Sequence, residues 1–429
     1  MRIHFIGKSG ASMKRLAEIC TLSGHEVTGS DIALKGHNPQ NVKGVELVVY
    51  TAAVGEDNCE VIEARSLGIP IVERAAFLGT IAEHYTHTIA VSGSHGKTTT
   101  TSMLAKIFEN QPSTVHIGAD YPQQSKGKTY FITEACEYKR SFLSLKPALA
   151  LVLNIELDHT DYYKDYKDYF SAFSAFCKQS NDALLFGDND KIFKWAMLNG
   201  YTTFGFCAQN HYSAQNIQVT PYATHFDFYI QKTLLGRIKI SLFGEYNVLN
   251  ALAAASSSHK VGISVKEIID GLGAFGGVSR RFESLGVVNG TQIVSDYAHH
   301  PTELTAMLQG AKSRGYKDIS IVFEPHTYTR TASLYKDFAA SLNVADTVYI
   351  MPVYSAREEY RGEGAGYIIT DAMQAKHPNS YYIESYDTLF AKLNNQLSTP
   401  KPNRVIVFAG AGSIDAKARE WANSIISTT

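Results

Sequence analysis

Apolar and polar positions alternate along the chain in blocks that predict strands and helices in turn. In the first block, short apolar runs predict four strands, and amphipathic stretches between them predict helices. The predicted strands cover residues 2–6, 26–29, 46–51 and 69–73, and the predicted helices cover residues 12–23, 59–67 and 75–85. Strands and helices that alternate in this way favour a parallel sheet with helices on both faces.

The same alternation continues through two further blocks. In the second block, residues 217–242 alternate position by position, which predicts antiparallel strands at a sheet edge. In the third block, strands are predicted at 291–295, 319–324, 347–352, 380–383 and 404–409. The predicted fold class is therefore α/β, with three consecutive αβ domains at residues 1–86, 87–281 and 282–429.

Composition narrows the class of protein. The 429 residues carry a net charge of −1, so the chain lacks the basic field that binds nucleic acid, and we expect no nucleic-acid partner. No apolar stretch is long enough to predict membrane insertion. The five cysteines are scattered without a C-x-x-C pair, which is typical of reduced thiols. We therefore expect a cytoplasmic protein.

The segment SGSHGKTTTT at residues 92–101 follows a predicted strand and precedes a predicted helix. Glycines in such a turn let backbone N–H groups face an anion, Lys97 would neutralise it, and the Thr98 hydroxyl would be placed for Mg²⁺. The ordinary P-loop has a glycine where this chain has Val91, so this is a compact G-x-x-G-K-T variant. The alternative is a glycine turn before a helix that binds no ligand.

Acidic and imidazole groups follow the next two predicted strands. Glu134 ends one of them, and His159 follows the other in the segment NIELDH. Because the carboxyl ends of parallel strands line the ligand crevice of an open sheet, these side chains with Thr98 predict a Mg²⁺ site. The alternative for His159 is a helix cap or a histidine of the core.

A weaker signal lies at the first strand-to-helix turn. Gly7 and Gly10 occupy the place where doubly wound folds bind phosphates, and Asp31 ends the second strand, where a ribose or base would lie. The loop lacks the third glycine of the dinucleotide fingerprint, so a turn without a ligand stays an open alternative.

The third block carries histidines at two strand ends, in DYAHHPTE and EPHTYTR. His299 and His300 invite a zinc hypothesis, but no cysteine lies near them in the sequence. The histidines could instead cap the helix that Pro301 begins. A row that includes His326 and Arg330 also suits recognition of a carboxylate and an amine.

Taken together, these segments resemble the Mur ligase family, the ATP-dependent amide-forming enzymes of peptidoglycan synthesis. The resemblance covers nearly the whole chain, and the alanine-adding members are the most similar. The motifs that carry it, in order, are GSHGKTTTT, EACEYKRSF, NIELDHTDYY, GEYNVLNALAA, VSRRFE, DYAHHPTEL, PHTYTR and GAGSID.

The resemblance implies a Rossmann-like UDP-sugar domain, a central P-loop ATP domain and a Rossmann-like amino-acid domain. It implies ligation of L-alanine to the carboxylate of UDP-N-acetylmuramate through an acyl phosphate, with ATP and Mg²⁺. The implied UDP-sugar contacts are Gly7, Gly10, Ser30 and Asp31. The implied ATP contacts are Gly93, Ser94, His95, Gly96, Lys97, Thr98, Thr99, Asn247, Arg281 and Asp296. The implied metal ligands are Thr98, Glu134 and His159. The implied amino-acid contacts are His299, His326 and Arg330. The implied catalytic residues are Lys97, Glu134, His159 and Arg281.

The chain departs from the family pattern in its first loop, where Lys8, Ser9 and Ser12 interrupt the usual glycines. Three alternatives therefore stay open at the level of sequence. The protein could be the peptide-recycling ligase of the family, or a non-catalytic homologue that binds UDP-sugars. A nicotinamide dehydrogenase would explain the first block but not the phosphate loop. A monomer and a homodimer are both compatible with the sequence.

Overall fold

The computed structural model describes residues 1–34, 36–118, 126–160, 162–220, 223–356, 358–374 and 376–426. These residues form three sheets with flanking helices, which confirms the predicted α/β class. In these described ranges no helix combines the length and the apolar character that crossing a bilayer requires.

The first sheet has four parallel strands in the order β2-β1-β3-β4. The strands are β1 (Arg2–Ile6), β2 (Glu26–Ser30), β3 (Leu47–Tyr50) and β4 (Ile71–Glu73), and the helices are α1 (Ala11–Leu22), α2 (Cys59–Ser66) and α3 (Arg74–Ala82). A short 3₁₀ helix, Pro39–Val42, precedes β3. Each of these strands and α-helices lies within a few residues of its predicted position.

The second sheet has nine strands in the order β13-β12-β11-β10-β9-β8-β5-β7-β6. Its strands are β5 (His87–Ser92), β6 (Ser113–His116), β7 (Tyr130–Glu134), β8 (Leu149–Val152), β9 (Asp182–Phe186), β10 (Thr202–Gly205), β11 (Tyr212–Val219), β12 (Thr224–Ile230) and β13 (Thr233–Ile240). Its helices are α4 (Lys97–Ile107), α5 (Tyr166–Lys178), α6 (Asp190–Leu198), α7 (Glu245–Lys260) and α8 (Val265–Gly273), with a 3₁₀ segment at Tyr138–Ser144. β5 lies between the parallel strands β7 and β8. Two residues connect β12 to β13, and a connection this short joins antiparallel strands, as predicted for the sheet edge.

The third sheet has six strands in the order β14-β15-β19-β16-β17-β18. Its strands are β14 (Glu283–Val288), β15 (Thr291–Asp296), β16 (Asp318–Phe323), β17 (Thr347–Ile350), β18 (Ser380–Tyr382) and β19 (Arg404–Ala409). Its helices are α9 (Pro301–Ser313), α10 (Tyr328–Leu342), α11 (Tyr367–Met373), α12 (Tyr386–Leu397) and α13 (Ile414–Ile426). β14, which the apolar pattern did not predict, pairs antiparallel with β15, and the other pairs are parallel.

The chain divides into two compact units. The first comprises Met1–Ile217, Phe226–Lys239 and Leu249–Phe275, and the second comprises Gln218–His225, Ile240–Val248 and Gly276–Thr429. Within the first unit, one hydrophobic cluster contains Phe5 of β1 and Phe77 of α3 together with Phe142 of the 3₁₀ segment and Phe173 of α5. The first sheet with its helices and the second sheet with its helices therefore share a hydrophobic core. The three domain boundaries expected from the sequence stay a prediction.

Candidate active site

The glycine loop between β5 and α4 has the strand, turn and helix that the sequence predicts. Gly96 precedes the helix with a φ of +86°, and a Cβ there would lie 2.4 Å from Asn250 Oδ1. Both the left-handed backbone and the lack of space therefore require glycine. Lys97 and Thr98 are the first two residues of α4, and the buried Thr99 is the third.

Side chains from the strand-end segment after β8 hold this loop in shape. The Asn154 Oδ1 accepts a hydrogen bond from the His95 N–H at 2.9 Å, and the Asn154 Nδ2 donates to the His95 carbonyl at 3.0 Å. The Ser94 hydroxyl donates to the Glu156 carbonyl at 2.6 Å and contacts the Tyr169 hydroxyl at 2.9 Å. The loop is therefore preorganised by the neighbouring strand, and the sequence analysis assigned no role to Asn154.

The ammonium group of Lys97 points into the loop and toward an acidic residue. Its Nζ donates to the Gly93 carbonyl at 2.5 Å, and it lies 2.9 and 3.1 Å from the two carboxylate oxygens of Glu137. Burial tends to lower the pKa of Lys97, but the attraction of Glu137 and its neighbours outweighs it and raises the pKa. Lys97 is therefore a firmly charged cation at the helix N-terminus.

Glu137 joins Lys97 to His159. Its side chain is 1% exposed, and its Oε1 lies 3.4 Å from His159 Nε2. Burial tends to raise the pKa of Glu137, but the charge of Lys97 and the contact with His159 lower it. In the sequence, Glu137 is only one residue of the motif EACEYKRSF, and its central position is a finding of the structure.

The backbone around this contact is strained. Lys139, Arg140 and His159 have φ values of +50°, +58° and +53°, in the left-handed region that disfavours residues with a side chain. The Tyr163 hydroxyl donates to the Glu137 carbonyl and holds this segment. Strained residues of this kind persist only where the surrounding structure fixes them, and they concentrate at functional sites.

Glu134 is the best candidate for a metal ligand. Its Oε2 accepts the Gly118 N–H at 3.1 Å, whereas its Oε1 is buried with no hydrogen-bond partner in the described parts of the chain. An orphaned carboxylate oxygen at the end of the strand next to the glycine loop fits Mg²⁺, which keeps waters and phosphate oxygens among its ligands. The same ranges contain no cluster of three or more acidic, histidine or cysteine side chains that would enclose a metal. The residues thus fit a cation held largely by a nucleotide.

The first loop, after β1, is closed by the end of β2. The N–H groups of Gly7 and Lys8 donate to the Ser30 carbonyl, and Gly7 has a φ of +85°. Gly10 immediately precedes α1 at the N-cap position and has no side chain that could cap the helix. This geometry suits an anion at the helix N-terminus.

The two residues predicted at the end of β2 are engaged within the protein. The Ser30 hydroxyl donates to the buried Glu60 carboxylate at 2.5 Å. The Asp31 carboxylate accepts the N–H groups of Ser9 and Ala33, both at 3.0 Å. Their side chains therefore shape the loop.

Three predicted nucleotide contacts lie in the second unit. The Asp296 carboxylate accepts the N–H groups of Phe282 and Ala298, both at 2.7 Å, and burial raises its pKa. The Arg281 guanidinium lies over the Tyr297 ring at 5.3 Å. The Asn247 Nδ2 donates to the Phe243 carbonyl at 2.8 Å. Asp296 thus holds the backbone at the residue that follows Arg281 and at the residue that follows Tyr297.

The structure brings the three predicted amino-acid contacts together. The rings of His299 and His326 are 5.9 Å apart, and Arg330 Nη1 lies 3.4 Å from His326 Nδ1. Burial lowers the pKa of His299 to about 4 and also lowers that of His326. At neutral pH, the cluster therefore presents a cationic guanidinium beside two neutral imidazoles, one of which contacts Glu303.

Comparison with known proteins matches three consecutive segments to one family. The sequence models of this family are described as the Mur ligase family catalytic domain, the Mur ligase middle domain and the Mur ligase glutamate ligase domain. They match residues 2–86, 91–258 and 280–412, respectively.

Similar proteins cover nearly the whole chain. A UDP-N-acetylmuramate–L-alanine ligase of Clostridium novyi is 38% identical over 96% of this chain and 95% of its own, and the enzyme of that name from Clostridium acetobutylicum gives the same three values. The crystal structure of a UDP-N-acetylmuramate–alanine ligase from Thermotoga maritima is 26% identical with a TM-score of 0.84, and the match covers both chains fully. A murein peptide ligase from Psychrobacter arcticus is 24% identical with a TM-score of 0.68, covering 99% of this chain and 98% of that one, which shows a shared fold.

Proposed function

We propose a function on the premise that this chain belongs to the Mur ligase family. The protein is an ATP-dependent, ADP-forming ligase that joins L-alanine to the carboxylate of UDP-N-acetylmuramate in peptidoglycan precursor synthesis. The observation that carries the proposal is the similarity, at 35–38% identity over 96% of the chain, to relatives that bear this activity in their names. The preorganised loop around Lys97 supports it.

The chemistry of the proposed reaction explains why a phosphate loop is needed. A carboxylate is a poor electrophile, so ATP transfers a phosphoryl group to it, which gives an acyl phosphate and ADP. The amino group of alanine then attacks the acyl carbon, and phosphate leaves as the amide forms. Lys97 and Arg281 would offset negative charge on the transferring phosphoryl group. Thr98, Glu134 and His159 would hold Mg²⁺, which when bound neutralises phosphate charge. Gly93 to Thr99, Asn247 and Asp296 complete the proposed ATP contacts.

The two other substrates are assigned to separate parts of the chain. The loop with Gly7 and Gly10, closed by Ser30 and Asp31, is proposed to bind the UDP-sugar. The cluster of His299, His326 and Arg330 is proposed to bind the amino acid, because a guanidinium recognises a carboxylate and neutral imidazoles leave the amine free to react. Discrimination by one methyl group amounts to about 1–3 kcal/mol, so slow use of glycine and serine is expected.

Product analysis tests the proposal. ATP, Mg²⁺ and UDP-N-acetylmuramate are incubated with an equimolar mixture of L-alanine, glycine, L-serine and a tripeptide, and the products are identified by mass spectrometry. The alanine adduct should dominate, and Lys97→Ala should form none. Exclusive formation of the tripeptide adduct would instead assign the protein to the peptide-recycling ligases. Nucleotide binding without any product would indicate a non-catalytic binder.

A further inference from the structure

The ammonium group of Lys97 is surrounded by acceptors that belong to the protein itself. In addition to the Gly93 carbonyl and both oxygens of Glu137, its Nζ lies 3.3 Å from the Ser94 carbonyl. An ammonium group has three N–H donors, and these contacts use all of them. A phosphate that binds Lys97 must therefore displace at least one protein acceptor.

Glu137 is the acceptor that carries a charge, and it is held rigidly. Its side chain is buried, and its carbonyl accepts the Tyr163 hydroxyl. The left-handed residues Lys139 and Arg140 follow it directly, and Arg140 is anchored by an ion pair to Asp168 at 2.6 Å. A buried carboxylate needs a partner, because an unpaired charge in this environment is strongly unfavourable. Lys97 is that partner.

We propose that Glu137 is a positioning residue that holds Lys97 when the phosphate site is empty, so that nucleotide phosphates compete with Glu137 for the lysine. The inference rests on the proposed function, because it takes ATP as the ligand of this loop. Glu137 thereby weakens nucleotide binding. In return, it keeps the Lys97 ammonium group in place beside the empty site.

Removal of the Glu137 charge should change the affinity for ADP in the direction opposite to that expected for loss of a merely structural residue. Glu137→Gln keeps the size of the side chain and removes the charge that competes with phosphate. The variant should bind ADP more tightly, whereas loss of a merely structural residue would weaken binding or leave it unchanged. Its KM for ATP should fall in the same direction, because the nucleotide no longer has to displace a carboxylate from Lys97.

The experiment measures ADP binding by isothermal titration calorimetry, in EDTA to exclude metal. Glu137→Gln should bind ADP roughly tenfold more tightly than the wild type, which corresponds to about 1.4 kcal/mol. The charge-matched control is Glu156→Gln. In the wild type, the Glu156 carboxylate lies 3.6 Å from His95 Nε2, and its side chain is 46% exposed. Its affinity should change much less.

The outcomes separate this inference from the proposed function. Equal or weaker binding of ADP by a folded Glu137→Gln would overturn the role of Glu137, as would equal tightening by Glu156→Gln. A wild-type protein that binds no ADP, with or without Mg²⁺, would overturn the proposed function instead. If Glu137→Gln does not fold, Glu137→Asp, which retracts the carboxylate, should also tighten ADP binding, and unchanged or weaker binding by that variant would overturn the inference.

Discussion

At the scale of single residues, the contact between Lys97 and Glu137 is the feature with the greatest consequences. The glycine loop between β5 and α4 could be predicted from sequence because its signal is local: a strand, two glycines and a lysine within a few positions. The partner of the lysine could not be predicted in this way. Glu137 reaches Lys97 across 40 residues of sequence, through a turn with two left-handed residues, Lys139 and Arg140.

This ion pair predicts that the variant Lys97→Ala is less stable than the double variant Lys97→Ala/Glu137→Gln. Lys97→Ala leaves the Glu137 carboxylate buried without its cation, so the free energy of unfolding should fall by about 3–5 kcal/mol. Adding Glu137→Gln removes the stranded charge and should recover most of that loss, while turnover stays abolished. Urea denaturation of both variants measures the two free energies of unfolding. A Lys97→Ala variant as stable as the wild type would contradict this prediction.

His116 predicts a dependence of stability on pH. It is buried, its Nε2 lies 3.0 Å from the Ser12 hydroxyl, and burial lowers its pKa to about 3. In the unfolded chain its pKa returns to about 6.5, so below that pH the unfolded state binds a proton that the folded state refuses. The stability is full above pH 6.5 and is lost progressively toward pH 3.

The variant His116→Asn isolates this contribution. Its stability should fall less steeply than that of the wild type between pH 6 and 4, by up to about 1.4 kcal/mol per pH unit. Chemical denaturation at several pH values within this window measures the difference. Parallel curves for the two proteins would show that His116 does not titrate as described.

At the scale of elements, apolar runs and regular alternation predicted most of the strands, whereas β6 and β14 were missed. β6 reads Ser-Thr-Val-His, yet all four residues are buried, because their polar atoms find partners such as the contact between His116 and Thr133. β14 is largely half-buried and contains Gly286 at an irregular register. In both strands, tertiary pairing outweighs the local pattern.

The turn that begins α4 predicts the effect of adding one methyl group. Gly96 and Gly24 share a φ of +86°, but a Cβ at Gly24 meets nothing within 4 Å, whereas at Gly96 it meets Asn250. Gly24→Ala should therefore cost only the backbone strain, about 1–2 kcal/mol. Gly96→Ala should cost more and should also abolish ADP binding. Denaturation and calorimetry on the two variants measure both effects, and equal losses would contradict the account.

Helix α3 offers a second comparison of glycines. A Cβ at Gly79 would lie 2.2 Å from the Ser144 carbonyl oxygen, whereas one at Gly273 of α8 would lie 4.0 Å from the nearest atom. Gly273→Ala should be neutral or stabilise by up to about 1 kcal/mol, because alanine favours helix. Gly79→Ala should destabilise despite that preference. Thermal unfolding distinguishes them, and a stabilised Gly79→Ala would contradict the close packing.

At the scale of the whole molecule, the first unit joins two parts that the sequence presents as separate blocks. The close approach of Gly79 to Ser144 packs α3 of the first sheet against the 3₁₀ segment Tyr138–Ser144, which directly follows Glu137. The sequence predicted the order of the blocks and the residues at their strand ends. It could not predict this packing, because close approach between backbones depends on the tertiary arrangement.

Phosphate release from ATP in the presence of Mg²⁺, UDP-N-acetylmuramate and L-alanine tests whether the protein is an alanine-adding ligase. Each substrate is omitted in turn, and the double variant Lys97→Ala/Glu137→Gln serves as a folded control. We expect phosphate release only when all the substrates are present, and none from the control. Release that continues without alanine or without the UDP-sugar, or that persists in the control, would contradict it.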